Sequence, residues 1–200
     1  MATVIETPLP EPALVPAHEP SERYEVIHGQ KVELPPMSVL ANLVASRLTA
    51  KLAVFLEHYP RGQVFPEMLF RLPLAEDIFR NRRPDVAYVS YGNWPKDRPV
   101  PEEASAWDVV PDLAVEIVSP TDFAEDVIAK MEESFRAGVR QVWLVYPRRR
   151  LLYRYESALQ VKGFTRSDTL ESEPLFPGLR LALPEIVPEP PAEPAAAPAP

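Results

Sequence analysis

Two proline-aspartate steps, RRPDVAYVS (residues 82–90) and PDLAVEIVSP (residues 111–120), each lead into a run of strand-forming residues. In the first, Asp85 stands at the start of the run. In the second, Glu116 sits among Leu113, Ala114, Val115, Ile117 and Val118, the composition of a buried α/β strand that is apolar on both faces. An unpaired carboxylate there costs several kcal/mol, so Glu116 requires a cation partner, a metal, or a place at the open end of the strand. If the two strands are neighbours, Asp85 and Glu116 converge at one end of the sheet and can bind a hard divalent cation through oxygen. Magnesium suits such a pair, because it is commonly held by one or two carboxylates plus water and substrate phosphate. The plainer reading is structural: Asp85 caps a loop beside Arg82 or Arg83, and Glu116 forms a buried ion pair.

A third group comes from the segment after Glu116. At about 100° per residue from Phe123, the apolar residues Val127, Met131, Ala124, Phe135 and Ile128 share one face, and Lys130 lies at its border. The outward acids on that helix are Glu125, Glu132 and Glu133. Lys130 can reach across toward the sheet, or it can pair with Asp126 four residues earlier on the surface; the sequence favours neither. Other reactive residues carry less. His18, His28 and His58 have no metal-ligand spacing. Ser119 lacks the glycine-flanked elbow of a hydrolase nucleophile, and the six glycines form no phosphate-cradling loop. Glu25 and Glu67 are secondary candidates that local ion pairs would also explain. The absence of cysteine removes disulfides, thiolate zinc sites and cysteine nucleophiles together.

The elements that must place these groups follow from periodicity. YEVIHGQKVEL alternates about His28-Gly29 and predicts a hairpin. From Ser38 to Tyr59, apolar residues at three- and four-residue steps predict a long helix that stops before Pro60. Strands are expected at Val64 to Leu72, Val86 to Tyr91 and Leu113 to Val118. Asp122 with Glu125 then opens a second helix, which Gly138 closes. QVWLVYP and RLLYRYES form a last strand pair, with Arg148 to Arg150 at the turn. The order indicates an α/β or α+β layer fold with a central mixed sheet.

Proline marks the edges of this unit. Five of the 26 prolines lie in residues 1–20 and seven in 181–200, so 1–20 and 185–200 are expected to be disordered tails flanking one domain at 21–184. Those ends also supply six of the eight net negative charges, leaving residues 21–180 at −2. A near-neutral body can still present a local basic surface, so nucleic acid is not excluded as a partner. The N-terminus lacks the regions of a secretory signal, and no stretch is expected to approach the ~20 apolar residues of a membrane span. The expectation is a cytoplasmic protein with no membrane partner.

RRPDVAYVS, PDLAVEIVSP, Lys130 in the helix that follows, and RAGVRQVWLVYP together resemble the bacterial restriction endonuclease domain family (Uma type) of the PD-(D/E)XK nuclease superfamily. The resemblance runs from about Tyr24 to Leu183. It implies a restriction-endonuclease-like core, a central mixed β-sheet flanked by helices, behind an N-terminal hairpin. It also implies that Asp85 and Glu116 are metal ligands, with the Ile117 carbonyl a further one, and that the metal is Mg2+ or Mn2+. The lysine position of the superfamily signature falls on Val118, which cannot carry charge, and the resemblance transfers that catalytic role to Lys130. The implied activity is metal-dependent hydrolysis of DNA phosphodiester bonds, with specificity drawn from loops, a homodimer partner or another protein. The alternative is a nuclease-fold module without turnover that binds nucleic acid or a protein partner.

Overall fold

The hairpin turn at His28-Gly29 forms as expected. Both residues adopt positive φ (49° and 76°), as a two-residue turn between right-twisted strands requires. In the computed structural model, which describes residues 23–189, this turn joins β1 (Tyr24–Ile27) to β2 (Gln30–Glu33). Residues 1–20, expected to be a disordered tail, lie outside the described residues. So do residues 190–200.

The long helix α1 (Val39–His58) starts at Ser38, whose Oγ accepts from the Ala41 N–H at 3.2 Å. By length and apolarity α1 is long enough to cross a membrane, a correction to the expectation that no stretch approaches that length. Its Val44, Leu48 and Leu52 are fully buried against the sheet, and its apolar face belongs to the core.

The run Val64 to Leu72 is not one strand. It breaks at Glu67, which takes a φ of 48° just after Pro66, giving β3 (Gly62–Pro66) and the short β4 (Phe70–Arg71) in different sheets. Then follow β5 (Asn81–Arg82), β6 (Val86–Ser90), β7 (Leu113–Ile117), α2 (Ala124–Ala137), β8 (Gln141–Tyr146), β9 (Leu151–Ser157) and β10 (Gln160–Phe164). The last described elements are β11 (Thr169–Ser172), β12 (Phe176–Ala182) and α3 (Leu183–Ile186). The central mixed sheet has the order β10-β9-β8-β7-β6-β3, and a smaller sheet has the order β2-β1-β5-β4. In the central sheet only β7 and β8 are parallel, and α2 supplies the crossover that a parallel pair needs.

Alternation along the strands divides the core between the two helices. Val86, Tyr88, Val115, Ile117, Trp143 and Val145 pack with α1, whereas Ala114, Val142 and Leu144 pack with Val127 and Met131 of α2. Glu116, between Val115 and Ile117, therefore faces α2. The folded unit also runs past the expected boundary at 184. Ile186 is 0% exposed and Val187 is buried in the same cluster as α1, so the first residues of the presumed C-terminal tail are core.

Two details of α2 differ from the sequence reading. Its N-cap is Phe123 and makes no capping hydrogen bond, because Asp122 instead accepts from the Ser119 N–H at 2.7 Å. Glu133, expected to face outward, is 8% exposed, while Ile128, placed in the apolar face, is 48% exposed. The helix is rotated so that Glu133 meets Arg80 and Arg82, just before and in β5 of the smaller sheet.

Candidate active site

Register brings the two acids together. β6 and β7 pair antiparallel with Val86 opposite Val115, and one step further along sets Asp85 opposite Glu116. Facing residues of an antiparallel pair point to the same side, so both carboxylates stand on the α2 side at one sheet end. Asp85 Oδ2 accepts from the Ile117 N–H at 2.7 Å, which locks the aspartate to the end of β7. Its nearest cation is Arg23, with Nη2 3.6 Å from Oδ1; Arg82 and Arg83, the neighbours expected from sequence, are engaged elsewhere. Arg83 donates to the Glu67 and Tyr24 carbonyls.

Lys130 does not pair with Asp126. It reaches inward from α2, and its Nζ lies 3.3 Å from Glu25 Oε1. Asp85, Glu116, Ile117, Lys130, Glu25 and Arg23 all line one cavity of about 440 Å³, with Val118 also at its wall. The Val118 backbone N–H donates to the Val145 carbonyl at 2.8 Å, an ordinary sheet contact.

Burial governs the electrostatics. It pushes the Asp85 carboxyl up to about 6, against the Ile117 N–H and the Arg23 charge, which favour ionisation. Glu116 is pushed up to about 8, again by burial first; Lys130 opposes the rise, and the charges of Asp85 and Glu25 add to it. The two acids behave as a pair that retains a proton near neutrality. Burial alone would lower the Lys130 ammonium, but Glu116 and Glu25 outweigh it and hold the lysine above its ordinary value. Lys130 is charged.

Glu116 differs from its neighbours in one respect. The buried acids Glu25, Asp77 and Glu133 each have a cation at ion-pair distance, but among the described residues the Glu116 carboxylate takes part in no hydrogen bond or ion pair, its backbone alone being tied into the sheet. A desolvated carboxylate with open acceptor sites, facing a second carboxylate, fits a hard divalent cation by its donor chemistry. No group of three or more His, Cys, Asp or Glu side chains with metal-holding geometry occurs among the described residues, so any such ion would have two side-chain ligands, Asp85 and Glu116.

The surroundings contain an arginine network that the sequence reading did not foresee. Arg82 donates from Nη1 to Glu25 Oε2 at 2.6 Å and from Nε to Glu133 Oε2 at 2.8 Å. Arg23 donates from Nε to Glu67 Oε2 at 2.9 Å, which puts Glu67 at the margin of the site through an arginine. Only the doubled arginine in RRPD hinted at such a network.

A family model described as "Uma2: Putative restriction endonuclease" matches residues 11–184. No curated protein matches the chain. Among solved structures, the crystal structure of a putative nuclease belonging to DUF820 from Anabaena variabilis superposes with a TM-score of 0.70 at 16% identity. The superposition covers 85% of this chain and 92% of that one. At that identity the likeness concerns the fold: a central mixed sheet flanked by helices, behind an antiparallel hairpin.

Proposed function

Because the chain belongs to the Uma2 family of putative restriction endonucleases, we propose that it is a metal-dependent nuclease that hydrolyses DNA phosphodiester bonds, with Asp85, Glu116 and Lys130 as its catalytic residues. The observation that carries this reading is the unpartnered Glu116 carboxylate opposite Asp85, in the cavity that Lys130 also lines. Asp85 and Glu116, with the Ile117 carbonyl as an expected further ligand, would hold Mg2+ or Mn2+. Bound there, the cation supplies Lewis-acid stabilisation of charge on the scissile phosphate.

The chain's own groups supply the rest. The Ile117 N–H fixes Asp85 through Oδ2, while Oδ1 faces the cleft with Arg23 Nη2 3.6 Å away. The Lys130 ammonium is a compact charge with three donors; it neutralises charge growing on the phosphoryl oxygens or orients the attacking water. The cleft is partly enclosed, with the Lys130 side chain 26% exposed, so these charges act at a dielectric below that of bulk water. Sequence selectivity is assigned to the loops or to a second copy of the chain.

Val118, an aliphatic residue in the place of the superfamily's strand lysine, favours a second reading: a nuclease-fold module that binds nucleic acid or protein without turnover. A panel of single- and double-stranded DNA and RNA, incubated with magnesium or manganese, separates the two. Metal-dependent cleavage by the wild type and none by Glu116→Gln is expected. Cleavage by Glu116→Gln at the wild-type rate would refute the assigned site, and binding without cleavage would favour the second reading.

A further inference from the structure

Glu25 lies on β1, in the smaller sheet, yet its carboxylate enters the cavity that contains Glu116 and Asp85. It is 2% exposed, and its two oxygens have separate partners. Oε2 takes the Arg82 guanidinium at 2.6 Å. Oε1 takes the Arg83 backbone N–H at 3.3 Å and faces the Lys130 ammonium at 3.3 Å. Arg82 is fixed in turn by Glu133, and Glu133 by Arg80, whose Nη1 is 3.2 Å from Oε1. The last link, Arg80 Nε to Asp77 Oδ2, is 3.0 Å.

Stability alone does not account for this chain of charges. Buried ion pairs are often no more stabilising than apolar residues of the same volume, and Arg82 is already neutralised by Glu133. The contact that scaffold needs do not explain is the one to Lys130. A lysine side chain has about 2 kcal/mol of rotamer entropy, so an ammonium on its flexible stem is poorly placed unless something holds it. Glu25 engages one of its three donors and leaves two for the cleft.

We infer that Glu25, itself fixed by Arg82 and Glu133, is the positioning residue for Lys130. The inference rests on the nuclease reading given above. Side chains that orient metal ligands commonly contribute 10- to 100-fold in metal affinity or activity, and an effect of that order is expected for a side chain that orients this lysine.

Glu25→Gln removes the charge and keeps the shape. It is expected to lower kcat by about 10- to 100-fold while the KM for an oligonucleotide and the manganese-induced rise in Tm stay as in the wild type. In a Lys130→Ala background the same change should lower kcat by less than about twofold, because the group it acts through is gone. Equal losses in both backgrounds, or a lost response to manganese, would overturn the inference, since Glu25 would then act on substrate, metal or scaffold directly. Should Glu25→Gln fail to fold, Glu25→Asp keeps the charge, withdraws it by one methylene, and is held to the same pattern.

A second observable needs no turnover. The protein has five lysines, so side-chain carbon NMR resolves each, with Lys130 identified by its loss in Lys130→Arg. The Lys130 signal should move in Glu25→Gln and in Glu133→Gln while the other four stay in place; a stationary Lys130 signal overturns the positioning role. A protein that cuts no nucleic acid would refute the proposed function, and the lysine spectrum would still decide this inference.

Discussion

Glu116→Gln should make the metal-free protein more stable at pH 8. In the unfolded chain Glu116 titrates near 4.5, and in the folded chain burial holds it up to about 8. Between those values the native state keeps a proton that the unfolded state has released, so stability falls as pH rises through the window. At about 1.36 kcal/mol per unit, the whole difference is roughly 4–5 kcal/mol. Asp85 shares the proton and the cleft admits water, so a contribution on the order of 2 kcal/mol is expected. Glutamine has no charge to desolvate and escapes the penalty. The assay is thermal unfolding of both proteins with chelator, from pH 5 to pH 8.5. Near pH 5 the two should melt together, and at pH 8 the variant should melt roughly 4–8 °C higher, at about 2–4 °C per kcal/mol for a domain of this size. Manganese should raise the wild-type Tm at pH 8 and leave the variant unchanged. A variant less stable than the wild type at pH 8, or a difference independent of pH, would refute the reasoning and give Glu116 a structural role.

Lys130→Ala should abolish most turnover while the manganese response survives, and Lys130→Arg should not restore full activity, since a planar guanidinium replaces a compact charge poorly; wild-type rates in Lys130→Ala would remove its catalytic role. Arg82→Met leaves Glu25 and Glu133 without their shared cation and should cost about 3–5 kcal/mol by denaturant unfolding, whereas a cost below about 1 kcal/mol would mean that the network is not buried in solution. Truncation after Pro184 removes Ile186 and Val187 from under α1 and should lower stability by about 2–5 kcal/mol, while truncation after Glu189 keeps them and should leave the melting temperature close to that of the full chain. Gly62→Ala would drive a Cβ into the Val89 carbonyl oxygen, so a loss of soluble folded protein is expected, and an unchanged Tm would show that β3 can shift on its sheet.

The pairing of Asp85 with Glu116 was legible in the sequence because two short motifs each carried one acid on a strand, and adjacent antiparallel strands needed only the right register. The helix bearing Lys130 was legible by its period. The partner of Lys130 was not. Asp126 is the local choice four residues back, but Glu25 arrives from the far end of the chain, and no periodicity reports contacts across such separations. The same holds for Arg82, whose partners are 57 and 51 residues away. Glu133 misled because helical angle alone assigns a charged residue to solvent, and here two arginines make the inward position favourable. Glu67 broke an expected strand through a positive φ that its residue type does not announce.

The supply of site residues by separate segments has a consequence for synthesis. Glu25 comes from β1, Asp85 from the residue just before β6, Glu116 from β7 and Lys130 from α2. The core that seats α1 on the central sheet is completed by Phe176, Ile186 and Val187, close to the last described residues. While the ribosome is still extending the chain, the acids and the lysine are present but not assembled, because non-local contacts form only after the intervening segments have closed. A chain cut short before β12 would carry Glu25, Asp85, Glu116 and Lys130 without the part of the core that Phe176, Ile186 and Val187 supply.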